Sequence, residues 1–148
     1  MKNLKSQISR FKFLLVALVG IGLCSCKQEA TSFLQSDLQG LWQENGTKHY
    51  IRFLAEQSTV KTEYCWGYEW DETDEETAVY EEDVKADQYG NGWFMYRLNK
   101  DELLEIHKMS GGDWADIPKT YIVTVLSSTT LTYYPKGYTN EKTSFTKQ

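Results

Sequence analysis

From residue 37 onward, turn signals interrupt this chain every ten or so residues. They fall at Glu44-Asn45-Gly46, Glu56-Gln57-Ser58, Asp71-Glu72-Thr73-Asp74, Tyr89-Gly90-Asn91-Gly92, Asn99-Lys100-Asp101, Ser110-Gly111-Gly112, Ser127-Ser128 and Pro135-Lys136-Gly137. Between them lie β-branched and aromatic stretches, the composition of short strands. Tyr50-Ile51-Arg52-Phe53-Leu54 sets Ile51 and Phe53 on one face, and residues 121–126 form a β-branched run with no helix cap ahead of it. Helix stays open only for residues 75–84, where the charge density points to a solvated segment. Residues 93–103 and 121–131 also correspond at an offset of 28, Leu98 over Leu126 and Leu103 over Leu131, each reading strand, tight turn, strand. About eight antiparallel strands in sequence order fit this grammar. On about 110 residues such a sheet has to close or fold on itself to hide its edges. The fold class expected is therefore all-β, a small antiparallel up-and-down β-barrel, with a β-sandwich as the alternative.

One segment stands out within that pattern. In Lys61-Thr62-Glu63-Tyr64-Cys65-Trp66-Gly67-Tyr68-Glu69-Trp70, strict alternation puts Tyr64, Trp66, Tyr68 and Trp70 on one face and Cys65, Gly67 and Glu69 on the other. The rings make a wall about 20 Å long at about 3.3 Å per residue. Facing into a barrel, this wall is either packed core or the lining of a cavity where rings stack on a glycan or enclose an apolar ligand. Facing outward, it is a binding surface. Trp93, with Phe94 and Tyr96, extends the same wall.

The charge is concentrated next to it. Ten carboxylates lie between Glu69 and Asp87, against Lys85 as the one base. The spacing from Asp71 to Glu82 is that of an EF-hand loop, but Glu76 stands where the turn needs glycine and Thr73 stands at the third position, so an EF-hand is rejected. A solvated acidic loop is the expectation, and no metal site or cofactor is assigned. No Gly-x-Ser-x-Gly elbow, His-Glu-x-x-His, cysteine pair or glycine-rich phosphate loop is present, so the chain is read as a non-enzyme.

The N-terminus supplies an address. Lys2, Lys5, Arg10 and Lys12 precede an apolar run of 11 residues, Phe13 to Leu23. A membrane-spanning helix needs about 20, so residues 1–25 read as an export signal. Setting them aside leaves 12 basic against 21 acidic residues, a net charge of −9. That balance excludes nucleic acid, which is bound through clustered Lys and Arg. Nineteen aromatics in the remaining 123 residues exclude a disordered chain.

Leu23-Cys24-Ser25-Cys26 resembles the lipobox of bacterial lipoproteins. The resemblance implies acylation of Cys26 and a membrane partner reached through that lipid anchor. Lys27, rather than Asp, follows the cysteine, which by the same resemblance points to the outer membrane or the cell surface. Residues 26–36 then form a tether and 37–148 the domain. Cys65 alone remains in the domain, so no intramolecular disulfide forms, and a buried inert thiol is expected.

Gly40-Leu41-Trp42, opening the first hairpin, resembles the Gly-x-Trp start of lipocalins, in which the tryptophan packs across the closed end of the barrel. Together with the lipobox and the repeated hairpins, it makes the chain similar to the small lipocalin-like lipoproteins of Bacteroides-type bacteria. The function this implies is envelope binding of a small apolar or aromatic-stacking ligand, hydrophobic or glycan, by Tyr64, Trp66, Tyr68, Trp70 and Trp93. The alternative is an envelope interaction or structural module with a fully packed barrel.

Overall fold

A computed structural model describes residues 31–72 and 76–148. The export signal and Cys26 lie outside the described residues. Eight strands follow in order: β1 (Gly40–Glu44), β2 (His49–Gln57), β3 (Cys65–Asp71), β4 (Trp93–Asn99), β5 (Glu102–His107), β6 (Lys119–Leu126), β7 (Thr130–Pro135) and β8 (Thr143–Lys147). Each pairs antiparallel with the next, and β8 returns to pair with β1. The sheet is thus a closed up-and-down barrel rather than a sandwich. Closure removes every open strand edge, which is what a small sheet with little helix to cover it requires. The two corresponding segments are the β4–β5 and β6–β7 hairpins, with Leu98 opposite Leu103 and Leu126 opposite Leu131. Among the described residues no helix is long and apolar enough to cross a membrane.

Register assigns the two faces. Trp42 opposes Ile51, Gly40 and Gly67 both oppose Phe53, Phe94 opposes Gly67, and Tyr96 opposes Cys65. Trp42, Ile51, Phe53, Phe94 and Tyr96, with Leu98, Leu103, Val123, Leu131, Tyr133 and Phe145, form one buried cluster drawn from round the barrel, its interior, and half-buried Cys65 packs against it. Gly67 makes this packing feasible. A Cβ there would come within 2.7 Å of two atoms of the Phe94 ring.

One end of the barrel is plugged. The short helix α1 (Gln35–Leu38) carries Leu38 into the interior, and the Trp42 indole N–H donates to the Leu38 carbonyl at 2.7 Å. Gln35 ties the plug to the wall, its Nε2 reaching Cys65 Sγ at 3.3 Å and its Oε1 accepting from the Leu98 N–H at 2.9 Å. Phe33 packs against the same cluster. Lys147 lies over the Trp42 ring, Nζ 5.1 Å from its centre, a cation–π contact at the closed end.

The aromatic wall faces the other way. Trp66 opposes Met95 and Tyr68 opposes Trp93, on the face away from Gly67 and Phe94. Tyr64, Trp66, Tyr68 and Trp70 do share one face, as the alternation predicts, but that face points out of the barrel. Phe94 and Tyr96 alternate inward, so of the β4 aromatics only Trp93 continues the wall. The reason is volume. The interior face of β3 carries Cys65, Gly67 and Glu69, because rings from other strands already fill a barrel this narrow.

The outer rings are covered rather than solvated. The long β3–β4 connection brings the helix α2 (Glu81–Ala86) onto them, with Val84 in a second buried cluster of Tyr64, Trp66, Tyr68, Trp70, Trp93, Met95 and Ile106. Three acidic residues in the first turn of α2 and Lys85 in the last suit the helix dipole, and the Tyr80 N–H donates to the Asp83 carboxylate at 3.0 Å.

Candidate functional site

Sequence reasoning singled out the rings, and they are placed as a second core. Trp66 is fully buried, stacked on Tyr89 at 4.3 Å between ring centres, with Trp114 at 5.5 Å and Trp93 at 6.1 Å. Tyr68 and Trp70 are 2% and 5% exposed, which leaves almost no ring face for a ligand. The Trp93 indole donates to the Val84 carbonyl at 2.8 Å, and the Tyr68 hydroxyl donates to Glu81 Oε1 at 2.8 Å. Arg52, beside Tyr68 on the outer face, donates to the same oxygen at 2.5 Å. Burial works against the Glu81 charge, but these two hydrogen bonds hold its carboxyl below the usual range.

The acidic segment is correspondingly more structured than a solvated loop. Glu72 accepts from the Trp70 indole at 3.0 Å, and Asp87 accepts from the Asn91 N–H at 3.0 Å. Among the described residues no group of three or more His, Cys, Asp or Glu is arranged to hold a metal ion.

The remaining chemistry lies inside the barrel, on the faces sequence reasoning left aside. At the end opposite the plug, register carries His49, Glu69, Asp71, Glu105 and His107 to the interior. His49 opposes Asp71, Glu69 opposes Ile51, His107 opposes Phe94 and Glu105 opposes Tyr96. They form an alternating chain of carboxylates and imidazoles. Asp71 Oδ1 lies 2.9 Å from His49 Nδ1, His49 Nε2 lies 3.5 Å from Glu69 Oε2, Glu69 Oε1 lies 3.7 Å from His107 Nδ1, and His107 Nε2 lies 2.8 Å from Glu105 Oε2. The two imidazoles address different oxygens of Glu69, so their nitrogens do not converge on one point as metal ligands would.

The electrostatics follow from depth. Burial disfavours charge on His49, yet hydrogen bonds and charges from Glu69 and Asp71 raise its pKa from 6.5 to about 9. Burial likewise disfavours charge on Glu69, but the hydrogen bond from His49 and the nearby charges of His107 and Lys119 keep its carboxyl below the usual range. Glu105 is deeper, 4% exposed, and burial pushes its carboxyl up despite the hydrogen bond from His107. Its Oε1 has no hydrogen-bond partner, one of two such buried atoms among the described residues, the other being Trp66 Nε1. Tyr121 and Tyr133 line the same space, their ring centres 4.8 Å apart. Burial and the Glu105 charge push both phenols up, Tyr121 to about 12.

A cleft of about 450 Å³ opens beside this chain at the barrel rim, lined by His49, Glu69, Trp70 and Asp71 on the barrel side and by Val84 and Gly92 among the residues of the β3–β4 connection. A cleft lined by ionisable groups with displaced pKa values is where binding chemistry concentrates. One signal for this site was present in the sequence. Glu69 alternates with the rings, so a wall facing outward necessarily sends Glu69 inward.

Cys65 is half-buried and its thiol pKa is raised by burial, which makes it a poor nucleophile. Comparison of the chain with protein-family models, with curated proteins and with solved structures found no match in any of the three.

Proposed function

We propose that this chain is a lipid-anchored binding protein of the cell envelope, lipocalin-like in kind, whose barrel takes a small ligand at the end opposite its plug. The observation that carries the reading is the division of the interior. One end is filled by Leu38, Trp42 and Phe53, while at the other a cleft at the rim is lined by the ionisable side chains of His49, Glu69 and Asp71. The ligand contacts then fall on His49, Glu69 and Asp71. Tyr64, Trp66, Tyr68, Trp70 and Trp93 act as the packed support under α2.

Anchoring rests on the Leu23-to-Cys26 motif, with the outer membrane or cell surface as the site. Replacing Cys26 with Ala is expected to move the protein from the membrane to the soluble fraction, and unchanged partitioning overturns the anchor. Native mass spectrometry of the protein taken from its own envelope is expected to retain a small adduct. A bare mass in every preparation overturns the binding reading. It would favour instead an envelope interaction module with a scaffold barrel, a reading that Ile117 and Tyr138 support, exposed by 82% and 61% on the β5–β6 and β7–β8 loops.

A further inference from the structure

We propose that the plugged end of the barrel is a docking surface for the phospholipid bilayer that carries the anchor, with Leu34 and Val60 entering the headgroup layer and the open end turned away from it. This rests on the lipid-anchored reading above and adds which face of the domain meets the lipid. Three observations converge on it.

The first is where the chain joins the domain. The Phe33 N–H donates to the Lys100 carbonyl in the β4–β5 turn at 3.1 Å, and the Phe33 side chain packs against the interior cluster, so the chain enters at the plugged end. Cys26 precedes Phe33 by seven residues. Seven residues reach about 25 Å at full extension and span about 15 Å when relaxed. A strand of the length of β3 is about 23 Å long, so a relaxed tether keeps the plugged end at the lipid and the open end away from it.

The second is a pair of aliphatic side chains held outward at that end. Leu34 is 66% exposed although both its neighbours are fixed, Phe33 by Lys100 and Gln35 by Cys65 and the Leu98 N–H. Val60 is 51% exposed in the β2–β3 loop, where the buried Ser58 hydroxyl accepts from the Val60 and Lys61 N–H groups at 3.1 and 3.2 Å. Gln35 meets Cys65, the residue at which that loop enters β3, so α1 and the loop are neighbours on the rim. Because both turns are already ordered, insertion costs little conformational entropy and gains the burial of two aliphatic side chains.

The third is charge. Among the described residues the connections between strands at the plugged end carry Lys61 and Lys100 against Glu63 and Asp101, whereas those at the open end carry nine acidic side chains against five basic. An anionic lipid surface repels the second end and not the first. Lys61, beside Val60, suits the boundary, since a lysine lays its stem along apolar material and extends its ammonium to the phosphates. Ile117 and Tyr138 are exposed as well, but they stand at the acidic end.

The test uses the acylated full-length protein in vesicles of phosphatidylethanolamine and phosphatidylglycerol, a fraction of whose lipids carry a nitroxide at the headgroup. In a Cys65→Ser background, Val60→Cys and Ile117→Cys are each labelled with an environment-sensitive dye. The dye at position 60 is expected to shift its emission to the blue and to be quenched by the nitroxide, and the dye at position 117 to do neither. Equal responses at the two positions, or a response at 117 alone, overturn the proposal. So does the absence of any response at 60 in protein that floats with the vesicles, and then the docking falls while the anchor stands. Protein that fails to float overturns the anchor reading and this inference with it. If circular dichroism shows that Cys65→Ser loses the fold, hydrogen–deuterium exchange of the unsubstituted protein replaces the dyes. Vesicles are then expected to slow exchange in residues 58–64 and not in residues 136–142, and equal slowing or none overturns the proposal.

Discussion

The ring of Phe94 lies against Gly67 across the β3–β4 pair, so close that a Cβ on residue 67 would come within 2.7 Å of it and 3.1 Å of the Arg52 carbonyl. The Phe94 ring is edge-on to Phe53 at 5.8 Å and stacked on His107 at 4.9 Å, so it has nowhere to retreat. Gly67→Ala is therefore expected to overpack the interior and lower stability by about 1–3 kcal/mol. Urea denaturation followed by circular dichroism checks this, and an unchanged midpoint would contradict it.

The α2 cover is latched at Glu81, which receives both Arg52 and Tyr68. Hydrogen bonds to a charged, partly buried group contribute about 1.5–3 kcal/mol. Glu81→Gln keeps the shape but loses the charge, and a loss of about 1–2 kcal/mol is expected, with a red shift in tryptophan emission as the cover loosens over Trp66 and Trp93. An Arg52→Met, Glu81→Gln double-mutant cycle should return a coupling well above zero. Because the Glu81 pKa is lowered on folding, its stabilisation is present above the ordinary carboxylate range and is lost as the pH falls through its depressed value.

His49 sets an alkaline limit. Its folded pKa is raised to about 9 from 6.5, so it stabilises the fold fully below pH 6.5 and that contribution is lost as the pH rises through about 9. Urea midpoints at pH 6, 8 and 10 are expected to fall with rising pH in the wild type and to fall less in His49→Gln. Parallel curves for the two proteins would rule the assignment out.

At the closed end, Lys147 covers the Trp42 ring. Lys147→Ala is expected to cost about 0.5–1 kcal/mol and Lys147→Arg to restore most of it, since cation–π contacts at partly exposed sites have this size. Thermal unfolding of the two variants side by side provides the check.

Strand number and order were legible in the sequence because turn residues and β-branched runs act locally. Asn45-Gly46 and Ser127-Ser128 each close a hairpin, and Leu126 pairs with Leu131 across the second as the repeat indicates. The alternation of Tyr64, Trp66, Tyr68 and Trp70 was legible for the same reason, since a strand has a period of two. Lys147 was harder to read, because nothing adjacent to it refers to Trp42, its partner 105 positions earlier.

The direction of the aromatic wall was not legible, and with it went the site. Alternation assigns residues to two faces but does not say which face is inside. That depends on how much volume the other seven strands already contribute to a narrow interior, and on whether a distant segment covers the outside. Here Phe53, Phe94 and Tyr96 fill the space opposite Gly67, and α2 shelters the wall beneath Val84. The acidic stretch was equally ambiguous. Its carboxylates acquire separate tasks only once Arg52, His49 and the Trp70 indole are brought to them from other positions. An all-β chain of short strands, and the partition of its residues between two faces, were already written in the order of the amino acids, because both follow from local backbone geometry. The tertiary structure alone decided that the rings pack outward under a cover and that the histidines and carboxylates meet inside, because that choice is made by the limited volume of a closed barrel.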